Sequence, residues 1–115
     1  MTARETLTDF IRKDAGRLGF SAVGIAPGTG DVAAGPRLDE FIAKGRYGTM
    51  SWMPETAERR RSARALWPEV RSIVVLGMNY GPQDDPLAIL ERPDRGAISV
   101  YARHRDYHDV IKGRL

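Results

Sequence analysis

Eight consecutive residues, Tyr101, Ala102, Arg103, His104, Arg105, Asp106, Tyr107 and His108, hold both histidines of the chain, two arginines, two tyrosines and a carboxylate. Imidazole and carboxylate can exchange protons, a guanidinium fixes an oxyanion through paired donors, and a phenol ring offers a flat apolar face with a polar edge. Such a set suits a polar ligand. Upstream, Ser72, Ile73, Val74, Val75, Leu76, Gly77, Met78, Asn79 and Tyr80 read as a buried strand running into a polar tip. Two strands ending in polar and aromatic groups can line one pocket.

Each of these side chains also has a plainer use. His104 and His108 stand four apart, the spacing of a metal pair on a helix face, yet no third ligand is evident beyond Asp106 or Asp109. No metal site is expected. His108 can hydrogen-bond a ligand or pack locally, Asp106 can serve as a helix N-cap, and Arg103 and Arg105 can be surface charges. Gly28, Gly30 and Gly35 lack the spacing of a phosphate-binding loop. With no cysteine in the chain, disulfides, thiolate nucleophiles and iron–sulfur ligation within it are excluded.

These side chains must be positioned by a small scaffold. A chain of 115 residues is one domain or part of one, with a modest core. No stretch approaches the ~18 consecutive apolar residues of a membrane span, and the charged segment Met1 to Ile11 lacks the apolar core of a secretion signal. A cytoplasmic location is expected. The net charge of +3 gathers in two groups, Arg59, Arg60, Arg61 and Arg64, and Arg103, Arg105, Lys112 and Arg114. They suit phosphate contacts, although Glu55, Glu58 and Glu69 partly balance the first group, so charge alone favours a solvated helix face.

The spacing of apolar residues gives an α/β (α+β) order. Thr2 and Glu5 form a capping pair, and Leu7, Phe10, Ile11, Ala15 and Leu18 recur at helical period until Gly19. Phe20 to Ala26 reads as a strand, Pro27 to Pro36 as a mobile loop, and Leu38, Phe41 and Ile42 as one face of a second helix, with Pro36 in its first turn and Gly45 after it. Tyr47, Met50, Trp52 and Met53 crowd large groups onto a connection, where they plug a core or meet a ligand. A basic helical stretch runs through Leu66 and Trp67 to Pro68, the Ser72 to Met78 strand follows, and Asn79 to Arg95 is a second loop. Ile98 to Ala102 alternates like a third strand. A last helix sets Tyr107, Val110, Ile111 and Leu115 on one apolar face, which Leu115 leaves unfinished. The expectation is a small sheet of about three strands flanked by helices, and a chain that is the N-terminal part of a longer protein.

Four stretches together resemble the N-terminal region of epoxyqueuosine reductases. They are Gly45, Tyr47, Gly48, Met50, Trp52 and Met53; Glu58 to Arg61 with Ala65, Leu66, Trp67 and Pro68; Gly77, Met78, Asn79, Tyr80 and Gly81; and Tyr101 to His108. The resemblance implies that residues 1–115 are the first part of a cobalamin-binding domain related to that of reductive dehalogenases. It further implies a downstream ferredoxin-like module with two 4Fe-4S clusters, and reduction of epoxyqueuosine to queuosine in a tRNA anticodon loop. Carried over residue by residue, it places Tyr101, Arg103, Asp106, Tyr107 and His108 in the cobalamin and substrate pocket, with Asn79 and Tyr80 near the corrin. His104 stands where the family pattern has glycine, and Ser62 and Ala63 stand near its common Asp-Pro pair. The family's proton-donating acid lies beyond Leu115.

Two other functions fit the same residues. An RNA-binding module without redox chemistry accounts for the arginines, and a corrin-binding trafficking domain needs no tRNA. The unfinished face of the last helix also suits a dimer.

Overall fold

A computed structural model describes residues 3–115, with side chains from residue 6 onward. The expected Thr2–Glu5 capping pair lies outside the described residues. Six helices and one two-stranded sheet are present among them. Helix α1 spans Ala3–Arg17, strand β1 Ala22–Pro27, α2 Ala34–Ala43, α3 Trp52–Glu55, α4 Ala57–Arg60, α5 Ala63–Leu66, strand β2 Ser72–Gly77 and α6 Tyr107–Lys112. Single 3-10 turns occupy Ala88–Glu91 and Val100–Ala102. No helix among these residues is long and apolar enough to cross a membrane. The chain divides into two units, Met1–Ala22 with Leu76–Leu115, and Val23–Val75.

In the first unit, α1 closes on Gly19, whose φ of 94° only glycine adopts without strain. The Gly19 N–H donates to the Gly16 carbonyl at 3.0 Å and the Phe20 N–H to the Ala15 carbonyl at 3.0 Å. This paired arrangement satisfies the last carbonyls of the helix and brings its flanking apolar residues together. Ala15 and Phe20 are accordingly both buried. Of the apolar face expected on α1, Ile11 and Leu18 are half-buried, whereas Leu7 and Phe10 are exposed. The Ser21 N–H then donates to the Gly77 carbonyl at 2.8 Å, one rung of the antiparallel pairing.

The second unit repeats the same stop. Helix α2 ends at Gly45, φ 63°, with Gly45 N–H bonded to the Ile42 carbonyl at 2.9 Å and Arg46 N–H to the Phe41 carbonyl at 3.1 Å. Leu38, Phe41 and Ile42 are half-buried on one face, as their spacing predicts. The segment expected to be a loop from Pro27 to Pro36 is shorter than that. Pro27 still belongs to β1, and α2 already includes Gly35 and Pro36. Between them, Asp31 folds the chain by accepting from the Ala33 N–H through Oδ1 at 2.9 Å.

Two further expectations are corrected. The basic stretch is not one helix: Ser62 is extended, with φ −160° and ψ 163°, and its Oγ accepts from the Ala65 N–H at 3.0 Å, starting α5 afresh after α4. Ser62 thus performs the capping that an aspartate offers. Nor is Ile98 to Ala102 a strand, so the sheet has two strands rather than three. The Ala102 N–H bonds back to the Ser99 carbonyl at 2.9 Å and the Arg103 N–H to the Val100 carbonyl at 3.3 Å. With the Ile98, Ser99 and Val100 carbonyls engaged locally, alternation alone does not recruit this segment to a sheet edge. Strand β2 is also less buried than its sequence suggests, since Val74 and Val75 are exposed.

Candidate functional site

Within the first unit, the end of β2, the Val100–Ala102 turn and α6 enclose an open cleft of about 640 Å³. That volume falls within the range of small-molecule sites, ~300–1,000 Å³. Tyr80, Tyr101 and Tyr107 supply its aromatic surface, Met78, Val110 and Ile111 its aliphatic surface, and His104 and Arg105 its charged or polar groups.

Local hydrogen bonds explain how each ring arrives there. After β2, the Asn79 N–H donates to Ser21 Oγ at 3.0 Å, while Asn79 Oδ1 accepts from the Gly81 N–H at 2.9 Å. The asparagine is therefore spent on the turn that carries Tyr80. The 3-10 turn holds Tyr101, whose ring meets that of Tyr107 edge to face, with centroids 6.4 Å apart and planes at 80°. Helix α6 then repeats its apolar groups at positions 107, 110 and 111, so one helix face lines the cleft.

Asp106 starts that helix. Its Oδ1 accepts from the His108 N–H at 2.9 Å and lies 2.8 Å from His108 Nδ1. The backbone bond from His108, followed by the side-chain bond from the same residue, holds the Asp106 carboxyl below its ordinary pKa. The His108 ring is in turn stacked on Tyr107 at 4.1 Å between centroids. Asp106, Tyr107 and His108 thus form one braced group.

The seven residues expected in the pocket separate into three roles of geometry. Tyr80, Tyr101 and Tyr107 line the cleft. Asn79, Asp106 and His108 make the bonds just described at its margins. Arg103 turns away: its Nε donates to the Ile98 carbonyl at 2.9 Å, and it lines a separate cavity of about 470 Å³ with Arg92 and Arg95. His104 precedes α6, as its position suggests, and has an ordinary negative φ although the family pattern has glycine there. Sequence reasoning assigned Val110 and Ile111 to a buried face, and it put His104 and Arg105 in the candidate cluster and Met78 in the strand tip without assigning any of them to the cofactor. Only the 107, 110, 111 spacing signalled a shared face. No group of three or more potential metal-ligating side chains occurs among the described residues.

The chain's relatives give this geometry a context. Residues 60–115 match the family profile described as Epoxyqueuosine reductase QueG, DUF1730. A protein named epoxyqueuosine reductase from Alicycliphilus denitrificans is 36% identical over an alignment covering 100% of this chain and 34% of the relative. The chain is homologous to the N-terminal region of the epoxyqueuosine reductases. Proteins of the same name from Cellulophaga algicola and Cyclobacterium marinum are 32% and 34% identical, each over the whole chain and 36% of the relative. The chain therefore spans about a third of the length of these epoxyqueuosine reductases. The cleft lies within the profile-matched segment, since its lining runs from Met78 to Ile111. No solved structure matches the chain.

Proposed function

We propose that this chain is the N-terminal part of a cytoplasmic epoxyqueuosine reductase, in which the tyrosine-lined cleft receives part of a cobalamin. The observation that carries this reading is the coincidence of that cleft with a chain-long relationship to proteins named epoxyqueuosine reductase. The alternatives, an RNA-binding module or a corrin-trafficking domain, lack that second support.

The residues present suit the group. A corrin has broad faces bearing methyl groups and a periphery of amide side chains. Tyr80, Tyr101, Tyr107, Val110 and Ile111 offer ring and aliphatic surface to such a face, and His104 and Arg105 add polar groups able to meet amides. Cobalamin, when bound, would supply the reducing chemistry that opens the epoxide. Conversion of an epoxide to an alkene takes up an electron pair and protons and releases the oxygen as water. The chain itself has no cysteine, so 4Fe-4S clusters feeding those electrons belong to the intact reductase beyond these residues. Within the chain, the tyrosine rings hold and orient, the Asp106–His108 pair keeps α6 in register with the cleft, and the arginines attract the tRNA anticodon loop. The acid that protonates the departing oxygen is assigned to the same downstream part.

Anaerobic titration of hydroxocobalamin into the intact reductase, followed by the absorbance of corrin and clusters, tests the proposal. Saturable binding with cluster absorbance, weakened by Tyr101→Ala and Tyr107→Ala, is the expected result. Corrin binding without clusters would favour trafficking, and absence of both signals would leave the RNA-binding module.

A further inference from the structure

Residues 52–64 in the second unit build a surface that the cleft chemistry does not use. The Thr56 hydroxyl donates to the Trp52 carbonyl at 2.5 Å, and its oxygen accepts from Arg60 Nε at 2.6 Å. These bonds set the Arg60 guanidinium over the Trp52 ring, 4.6 Å from its centroid. Trp52 nevertheless keeps 45% of its surface exposed. A cation held over a half-open indole leaves a flat aromatic surface next to fixed positive charge, with part of its ordering cost met by the bonds from Thr56.

The charges around it are unevenly committed. Arg61 is paired with Asp39 of α2, which raises the guanidinium pKa further. Arg59 and Arg64 are exposed and form no ion pair among the described residues. Glu55 and Glu58 lie in the same segment and moderate the field, so charge alone does not make this a polyanion site. The flat platform is the discriminating feature. A nucleobase can stack on it while neighbouring phosphates meet the free arginines, whereas an acidic peptide would use only the charges.

We infer that the Trp52–Arg60 stack, flanked by Arg59 and Arg64, is a docking surface for a single-stranded RNA loop. The inference rests on the reading above that the substrate is RNA, and it locates that contact on α3 to α5, on residues other than those assigned to the corrin. Base stacking on the indole supplies affinity without sequence choice, and the arginines supply the salt-dependent part.

Fluorescence anisotropy of a labelled RNA stem-loop with an unpaired loop, titrated with the chain at several salt concentrations, tests this. Trp52→Leu is expected to weaken binding about tenfold with an unchanged salt dependence. Trp52→Phe, which keeps a ring, is expected to retain affinity within about threefold. The double variant Arg59→Gln, Arg64→Gln should lower the slope of log affinity against log salt by about 1.4, from roughly 0.7 for each lost phosphate contact. In a Trp67→Phe background, quenching of the remaining indole by the stem-loop reports the stack directly, and circular dichroism confirms that each variant is folded. Wild-type affinity in all these variants, with loss instead in Arg103→Gln, Arg105→Gln, would overturn the surface while leaving the RNA reading intact. An equal loss by Trp52→Leu on a blunt RNA duplex would overturn the stacking. Failure of the unaltered chain to bind the stem-loop would overturn the surface, and failure of the intact reductase as well would overturn the RNA reading.

Discussion

Asp106 shows how much of a site can rest on one carboxylate at the start of a helix. It accepts from the His108 N–H and lies against the His108 ring, and the carboxyl is held below its ordinary value of 3.8 by those bonds, the backbone one foremost. A depressed folded-state pKa means stability that is full above the ordinary value and is lost as pH falls through the depressed one. We expect the Asp106 carboxyl, followed by NMR, to titrate below 3.8, with the His108 amide losing protection from exchange in the same window. Asp106→Asn keeps a capping oxygen, so α6 should persist without that pH dependence, whereas Asp106→Ala should lose amide protection at neutral pH as well. A normal carboxyl titration in the unaltered chain would show that the cap is not formed in solution. The same residue marks a limit of sequence reading. Its spacing supports a cap and a ligand contact equally, because both uses require an oxygen just before a helix. Arg103 shows the opposite limit: nothing in its neighbours signals that Nε is committed to the Ile98 carbonyl.

The elements were more legible than their edges. Periodicity located α1, α2, β2 and α6, and Gly19 and Gly45 identified the two helix stops because positive φ there is a local requirement. The failures arose where partners decide the outcome. Ile98 to Ala102 alternates like a strand but turns back, with its carbonyls accepting from Ala102 and Arg103, and the arginine-rich helix breaks at Ser62, whose side chain competes for the backbone. Glycine substitutions separate these effects. A Cβ at Gly45 meets nothing within 4 Å, so Gly45→Ala carries only the cost of φ 63°, expected to be about 1 kcal/mol in urea unfolding. At Gly28 a Cβ would run into the Val70 carbonyl, next to the bond from Gly28 N–H to the Arg71 carbonyl at 2.7 Å. Gly28→Ala should therefore destabilise more than Gly45→Ala, since backbone must shift and the end of the strand pairing is strained. Equal midpoints for the two variants would show that the close approach at Gly28 relaxes freely.

Among the described residues, few apolar side chains are fully removed from water. The buried hydrophobic residues among them are Ala15, Phe20 and Val70, while Trp67, Val75, Tyr80, Tyr101 and Leu115 are each more than half exposed. A fold with so little buried area should have a shallow response to urea for its length, because the slope follows the surface exposed on unfolding. It should also gain stability from any ligand that covers the cleft, since binding to the folded state alone stabilises by mass action. We expect cobalamin at about a hundredfold excess over its dissociation constant to add about 2.7 kcal/mol to the unfolding free energy. The double variant Tyr101→Ala, Tyr107→Ala should lose most of that increment, because it removes the edge-to-face pair and two of the three tyrosine rings that line the cleft. The stem-loop RNA should still stabilise that variant, since its contacts are assigned to Trp52, Arg59 and Arg64. Cobalamin that stabilises the double variant as well as the parent chain would move the corrin contact out of the tyrosine cleft. Loss of the RNA effect in the same variant would show that the two ligands share one surface.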